Sequence, residues 1–434
     1  MQNIRPSHYR WVVASLVFFI TLVNFIDRSA ISFVIEPLKQ EFNFTDTQFG
    51  MILSAFAVGY VLLTAFGGWL VDVWGSRIVW ALAAITWSLC VGLLGLAAGF
   101  WGFIGLRFLL GVTEGPHFPA MTRTVSDWLP ASERARALSL GLVAIPLSAV
   151  VGAPITSYLV VDLGWRAMFA IISGLGIVWA FFWFWLFRDR PEDSRYTNDA
   201  EKKMIATSRA QMTKEDKEKI DWNFILTHPT LLANNFAYFA FGYMLFFATL
   251  WLPGYFLSQH NLNLKSVGWY LTIPWLIGAA FLKAGGFLSD WLYKKTGNRR
   301  IARSHLIWGS QLLAAICFVI LGFTSSLTMS ILFLSLGLGF GLMPQPAFFS
   351  VNIDVAKERS GSSQGITSSC LSLAGIIAPL LTGWLIDMTH NYQGAFLLLG
   401  GFTLLAVVVV ILFHHPDKEY IRAKAVKLSL REGA

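Results

Sequence analysis

"GWLVDVWGSR" occupies Gly68–Arg77, and a related run, "GGFLSDWLYKKTGNRR", occupies Gly285–Arg300. Gly68, Leu70 and Asp72 recur as Gly286, Leu288 and Asp290, offset by 218 positions. A second set follows in each half. Glu133–Arg134, Ala153–Pro154 and Asp162 return as Glu358–Arg359, Ala378–Pro379 and Asp387, every pair offset by 225. A constant offset across thirty residues marks an internal duplication. The difference of seven between the two offsets points to a longer loop after Asp290.

The surrounding composition says what is duplicated. Of 434 residues, 55% are hydrophobic and only 13% charged, and the mean hydropathy is +0.59. Soluble domains carry about 25% charged residues, so this chain reads as a polytopic membrane protein. A spanning helix takes roughly 20 mostly apolar residues. Twelve stretches qualify: 11–35, 47–71, 78–99, 102–126, 137–160, 168–187, 231–258, 266–290, 304–324, 328–350, 363–386 and 394–413. The expected fold is therefore all-α, with twelve transmembrane helices in two pseudo-symmetric six-helix bundles. The expected domains are residues 1–187, a linker at 188–228, and 229–434 with a basic tail. The linker holds nine Lys/Arg and nine Asp/Glu, with a helical piece at "DAEKKMIATSRAQM". The first apolar run is too long for a secretory leader, and no small-residue cleavage site follows it.

Lys and Arg set the orientation. With the N-terminus inside, the inner loops collect Arg5, Arg10, Arg77, Arg134, Arg136, Lys294, Lys295, Arg299, Arg300, Arg303, Lys357 and Arg359. The outer loops collect Lys39, Arg166 and Lys265. Both termini are expected in the cytoplasm of a bacterial cell, the chain lying in its inner membrane. This asymmetry also accounts for the net charge of +8, so nucleic acid is not an expected partner. The partners are lipid, substrate and protons, and the chain is expected to be a monomer. Cys90, Cys317 and Cys370 lie in apolar runs without disulfide or metal spacing, so no metal or cofactor is expected. No H-E-x-x-H, G-x-S-x-G or phosphate-binding glycine loop is present, which argues against an enzyme.

Gly68, Leu70, Asp72, Gly75 and Arg77 match the G-x-L-x-D-x-x-G-x-R/K loop of the major facilitator superfamily. With twelve spans and the weaker second copy at Asp290, the chain resembles that superfamily over nearly its whole length. In physical terms, glycine permits the tight turn and close packing. Asp72 is expected to cap a helix N-terminus or to pair with Arg77, latching one bundle to the other. "IDRSAISF", "RFLLGVTEGPHFPA", "ERARA", "GWR" and "WLPGYF" resemble the anion:cation symporter branch, which holds bacterial sugar-acid transporters and the sialic acid and vesicular glutamate carriers. That resemblance implies proton-coupled uptake of a small organic anion. It carries an acidic–Arg pair on the first helix, here Asp27 and Arg28. On the fourth it carries an Arg with an acid seven residues on, here Arg107 and Glu114.

The residues support the same reading directly. A charge at mid-bilayer costs several kcal/mol, from about 3 to above 10, so it must be offset or used. Arg107 and Glu114 are two helical turns apart and share a face. Gly111 and Gly115 let another helix come close. At 1.5 Å per residue, Asp27 lies about 6 Å and Arg107 about 10 Å outside the midpoints of their spans, with Glu114 near the midpoint of its own. Two acids and two arginines thus reach similar depths and can neutralise one another, with Arg107 the expected partner of one or both acids. The matching positions in the second half are Leu332 and Gly339, so the fold does not need these charges.

Asp27 and Glu114 are the expected proton carriers. Arg28, Arg107, Tyr60, Asn235, Gln345 and Ser369 are the expected substrate contacts. Gly68, Asp72, Gly75, Arg77 and Asp290 are the expected gating residues. Asn234, Tyr238, Tyr243, His117 and Lys283 are weaker candidates. Ser368 and Ser369 depart from the Asn usual on the eleventh helix of the branch, and Phe348 and Phe349 from the Trp of its sugar-acid members, which bears on which anion is carried. The alternative is a proton-coupled antiporter, but "AVVGAPITSY" fits the G-P-x-x-G-G run of antiporters poorly. A membrane sensor would need a signalling domain that neither the 41-residue linker nor the 21-residue tail can supply.

Overall fold

Apolar runs of spanning length satisfy every backbone group by closing into helices, and the described apolar runs do this. The computed structural model describes residues 6–212, 222–356 and 360–417. Arg5, Lys357, the repeat partner Glu358–Arg359 and the basic tail from 418 onward lie outside the described residues.

The first run of helices is α1 (Tyr9–Ala30), α2 (Ile35–Phe42), α3 (Asp46–Trp74), α4 (Ser76–Leu94), α5 (Phe100–Glu114), α6 (His117–Trp128), α7 (Ala131–Leu163) and α8 (Trp165–Leu186). The stretch from the eighth helix to the next span carries α9 (Asp199–Met212) and α10 (Trp222–Thr227). The second run is α11 (Pro229–Leu250), α12 (Leu252–His260), α13 (Leu264–Thr296), α14 (Leu306–Gly322), α15 (Leu327–Leu342), α16 (Gln345–Ala356), α17 (Ser360–Thr389) and α18 (Gln393–Phe413).

Among the described residues, eleven helical stretches are long and apolar enough to cross a bilayer. The expected span 102–126 is not one of them. It is built as α5 and α6, which meet at a turn over Gly115–Pro116. Proline has no N–H to donate back, so the helix breaks there. The break lies immediately after Glu114. Apolar side chains such as Trp69, Phe181, Phe287 and Leu412 stay more than half exposed, as a lipid-facing surface requires.

Local signals set the boundaries. Thr45 and Gln48 form a reciprocal capping box at the start of α3. Gly75 (φ 81°) turns α3 into α4, and Gly164 (φ 83°) turns α7 into α8 with the same geometry. A Cβ on Gly75 would also lie 2.7 Å from the Asp189 carboxylate, so the position excludes a side chain twice over.

Two compact units result. One is Met1–Lys217 with Leu262–Thr272, and the other is Glu218–Asn261 with Ile273–Ala434. In the first unit, α3 and α5 lie backbone to backbone. A Cβ on Gly111 would sit 2.0 Å from the Phe56 carbonyl oxygen, and one on Gly59 2.1 Å from that of Phe108. Gly115 meets Leu63 in the same way, at 2.9 Å. This contact presents Phe56 and Tyr60 to the face of α5 that bears Arg107 and Glu114.

The helical piece of the linker, α9, is tied into the first unit through Glu201, which is fully buried. Its carboxylate accepts from Ser7 Oγ, from the backbone N–H groups of Tyr9 (3.1 Å) and Arg10 (3.2 Å), and from Arg10 Nη1 (2.8 Å). Arg10 Nε also reaches Glu133 on α7 at 2.6 Å. Burial pushes the Glu201 carboxyl up, but these hydrogen bonds outweigh it and hold the group below the usual carboxylate range.

Candidate functional site

The site is built by α1, α3, α4, α5 and α6 of the first unit. One helical turn of α1 carries Asn24, Asp27 and Arg28. Glu114, with no side-chain exposure, accepts from Arg28 Nε at 2.6 Å. The Arg28 guanidinium is ringed by aromatics, with its carbon 4.6 Å from the Phe25 centroid, 5.0 Å from Phe56 and 4.8 Å from Tyr60. Arg107, 1% exposed, stands 4.9 Å from the Phe56 centroid. Phe56 is therefore shared by both guanidiniums. Such contacts contribute about 0.5–2 kcal/mol each and hold a cation without neutralising it.

This pairing departs from the one expected. Arg107 was to neutralise an acid, but among the described residues neither acid lies within ion-pair distance of it. Arg28 takes Glu114, across helices, rather than its chain neighbour Asp27. Successive residues on a helix point about 100° apart and cannot pair side by side. Asp27, 1% exposed, has no cation partner among the described residues. Trp87 on α4 stands next to it, and Asn24 next to Glu114, without reaching hydrogen-bonding geometry.

Several buried polar atoms make no hydrogen bond among the described residues. They are Arg28 Nη2, Arg107 Nε and Nη1, Glu114 Oε1, both carboxylate oxygens of Asp27 and both amide atoms of Asn24. Buried polar groups are normally satisfied, so this concentration singles the cluster out as the candidate site. Apart from Asn24 Nδ2, the donors just named belong to guanidiniums, the groups best shaped for a carboxylate.

His117 lies against the site but is already engaged. The Trp80 indole donates to His117 Nδ1 at 3.3 Å, leaving Nε2 to face Thr21 Oγ1 at 3.4 Å. It is an interior histidine with both ring nitrogens occupied.

The remaining candidates lie in the second unit. Asn235 Oδ1 accepts from Thr367 Oγ1 at 2.6 Å, within a buried network that includes Asn352 and Ser363. Gln345 stands beside the Tyr238 hydroxyl. Ser369 is exposed and turns its hydroxyl back to the Gly365 carbonyl at 3.0 Å. Asn234 donates to the Phe348 carbonyl at 3.2 Å.

The loop residues also differ from expectation. Asp72 pairs with Arg123 of α6 at 3.0 Å, both being well exposed, and not with Arg77. Arg77 instead donates to the Phe184 carbonyl (2.9 and 3.1 Å) and lies over the Phe184 ring. The helix N-terminus at Arg77 is capped by Asp189, which accepts its N–H at 2.9 Å. Burial raises the Asp189 carboxyl above its ordinary range even so. The second unit repeats the device, with Asp417 accepting from the N–H groups of Arg299 (3.1 Å) and Arg300 (2.8 Å). Its Asp290 lies 3.7 Å from Arg303, which also reaches Asp354 at 3.3 Å. Gly68 is not the crowded glycine of the loop. A Cβ there would find only Pro119 at 3.7 Å, whereas one on Gly67 would meet the Pro116 nitrogen at 2.8 Å. The second unit behaves alike: Gly285 is crowded at 1.9 Å by the Met343 carbonyl and Gly286 is not.

Sequence reasoning passed over Phe25, Phe56, Asn24, Gly67 and Asp189. A signal existed for some: Phe25 and Arg28 are three apart, Phe56 and Tyr60 four apart, each pair on one helix face. For Asp189 and Asp417 the signal is positional, since each follows closely on the last helix of its bundle.

The matching family model is that of the Major Facilitator Superfamily, over residues 17–378 and 345–431. The chain belongs to the Major Facilitator Superfamily. Among relatives of this superfamily, it is 31% identical to the hexuronate transporter of Bacillus subtilis (strain 168), over 93% of this chain and 94% of that one. It is 29% identical to the probable galactarate/D-glucarate transporter GudP of Escherichia coli (strain K12), over 93% of each. A solved structure of a bacterial homolog to the human lysosomal transporter Spinster superposes with a TM-score of 0.78, at 17% identity, covering 95% of this chain and 98% of that one. As a superfamily member, the chain is an integral membrane transporter.

Proposed function

We propose that the protein is a proton-coupled symporter of a small organic anion, a sugar acid carrying at least one carboxylate, working by alternating access. The observation that carries this is the Arg28–Glu114 pair. An internal carboxylate already holds one edge of the Arg28 guanidinium, while Nη2 and two donors of Arg107 stay free. An arriving carboxylate competes with Glu114 for that cation. A carboxylate that loses its cation in an apolar surround is stable only when it takes a proton. Anion and proton therefore load together, and loss of the proton on the far side restores the pair and expels the anion. Asp27, buried without a cation, is the second proton site.

This order favours symport over antiport, because the substrate promotes protonation instead of exchanging with it. The sugar acids named for the relatives above support the substrate class. Residues 1–187 and 229–434 are the two bundles of the cycle, both termini lie in the cytoplasm, and the host membrane is a bacterial inner membrane. Tyr60 holds Arg28 in place, and Asn235, Gln345 and Ser369 are the proposed second-bundle contacts for hydroxyl groups.

The test is reconstitution in liposomes with labelled D-glucuronate. Glu114→Gln, which mimics the protonated acid, is expected to keep exchange of internal for external substrate. It should lose accumulation driven by a pH gradient. Accumulation by the variant against a substrate gradient would overturn the mechanism.

A further inference from the structure

Within the first unit, α3, α4 and α5 leave a crevice of about 210 Å3 between them. Leu63, Phe66, Leu70 and Trp74 form its α3 wall, three and four residues apart on one helix face. Leu82 and Thr86 stand on the α4 wall, and Val112, Thr113 and Pro116 line it from α5. The hollow has a local cause. Gly67, which also lines it, projects no side chain, and a Cβ there would lie 2.8 Å from the Pro116 nitrogen. The helix of α5 breaks at that proline, so α3 and α5 meet through backbone and leave the space above unfilled.

Three features define the occupant. The first is chemistry. The two hydroxyls on these walls are satisfied within their own helices. Thr86 Oγ1 donates to the Leu82 and Ala83 carbonyls at 2.8 and 3.0 Å, and Thr113 Oγ1 to those of Leu109 and Leu110 at 2.9 and 3.0 Å. The remaining lining side chains are apolar, so a sugar acid or a lipid headgroup gains nothing here. An apolar cavity of about 150 Å3 stays dry and takes an apolar molecule. The second feature is access. Phe66, Trp74 and Leu82 are 49%, 57% and 52% exposed, so the crevice is continuous with the lipid-facing surface that includes Trp69. The third is length. Eleven positions separate Leu63 from Trp74. At 1.5 Å per residue that is about 16 Å, half of a hydrocarbon core roughly 30 Å thick. Trp74 is the last residue of α3, where tryptophans mark the membrane–water interface. The crevice therefore runs from the interface to the midplane, the depth of one leaflet.

The structure assigns this crevice to one acyl chain of a phospholipid. Because α1 leads away from the N-terminus and α3 returns, the lipid belongs to the leaflet on the N-terminal side. Its chain lies along α3 from Trp74 towards Leu63 and crosses the Gly67–Pro116 contact. There it completes packing that glycine and proline cannot supply, at the helix break directly after Glu114. This requires only that the protein spans a bilayer, and it stands apart from the proposed coupling.

The probe is a phosphatidylcholine with a diazirine near the end of one acyl chain, used in proteoliposomes without substrate. Adducts are mapped by peptide mass spectrometry after photolysis. Leu63 and Thr113 should carry at least about threefold more adduct than Leu175 and Val178, which are exposed near the middle of α8, because a walled groove buries more of the chain than an open helix face. Thr86→Phe fills the crevice from its exposed wall and should cut the adducts at Leu63 and Thr113 about threefold, since less apolar area is left for the chain to bury, with α8 unchanged. Leu70→Trp fills it from the opposite wall and gives the same readout should the first variant fail to fold. Equal labelling of crevice and α8 overturns the assignment. So does weaker labelling of the crevice, the result if a second copy of the protein covered it, or labelling that a folded filled variant leaves unchanged.

Discussion

Replacing Arg28 by Lys keeps the positive charge and removes the fork. In the structure, Arg28 spends Nε on Glu114 at 2.6 Å and keeps Nη2 free, while its carbon stands 4.6–5.0 Å from three aromatic centroids. A planar guanidinium can satisfy the acid with one edge and a substrate carboxylate with another. A single ammonium has three donors on one point and cannot hold both carboxylates in parallel geometry. The variant therefore forfeits about one charge-assisted hydrogen bond, about 1.5–3 kcal/mol. Reduced stacking on the rings adds about 0.5–1 kcal/mol. Together these predict an affinity loss of roughly 30- to 800-fold, at about 1.4 kcal/mol per factor of ten. The assay is concentration-dependent uptake of D-glucuronate into proteoliposomes, with thermal shift against the same ligand to read binding alone. The ammonium can still pair with Glu114, so the apparent KM should rise while residual uptake still depends on the pH gradient. A KM within threefold of the unmodified protein would refute the two-edged role of Arg28. So would a Lys variant that binds as before but loses coupling.

Gly67→Ala should destabilise the folded protein by about 1–3 kcal/mol, because its Cβ would lie 2.8 Å from the Pro116 backbone, while Gly68→Ala, with 3.7 Å of room, should leave the unfolding temperature nearly unchanged. Equal unfolding temperatures for the two variants would contradict that packing. Glu201→Ala should cost about 3 kcal/mol by leaving Arg10 buried with half its partners. The Glu201 carboxyl is held below its ordinary value of 4.5, so its contribution is present above that pH and is lost as pH falls through the lower folded value. Thermal unfolding followed from about pH 5 down to about pH 3 should lose part of its acid sensitivity in Glu201→Gln, and an unchanged slope would count against the link.

The spans, the duplication and the four charged residues were legible in the sequence because they depend on composition and spacing alone. A run of apolar residues must be a helix in a bilayer, and a constant offset between motifs needs no coordinates to be seen. Helical period likewise placed Arg107 and Glu114 on one face, and depth placed Asp27 and Arg28 near them. What spacing could not supply was the choice of partner. Arg28 reaches Glu114, and Arg107 reaches neither acid, because of the rotation of α1 and α5 about their axes. The rotation of α5 against α3 is set by backbone contacts at Gly59 and Gly111, on residues 52 positions apart. The same holds for Asp72, which meets Arg123 rather than Arg77, whose guanidinium is held by the Phe184 carbonyl from 107 residues away. A motif names the residues that crowd one place in the chain. Which atoms touch is decided when distant helices press together, since an ion pair or a cap forms only within a few ångströms and only along the right direction.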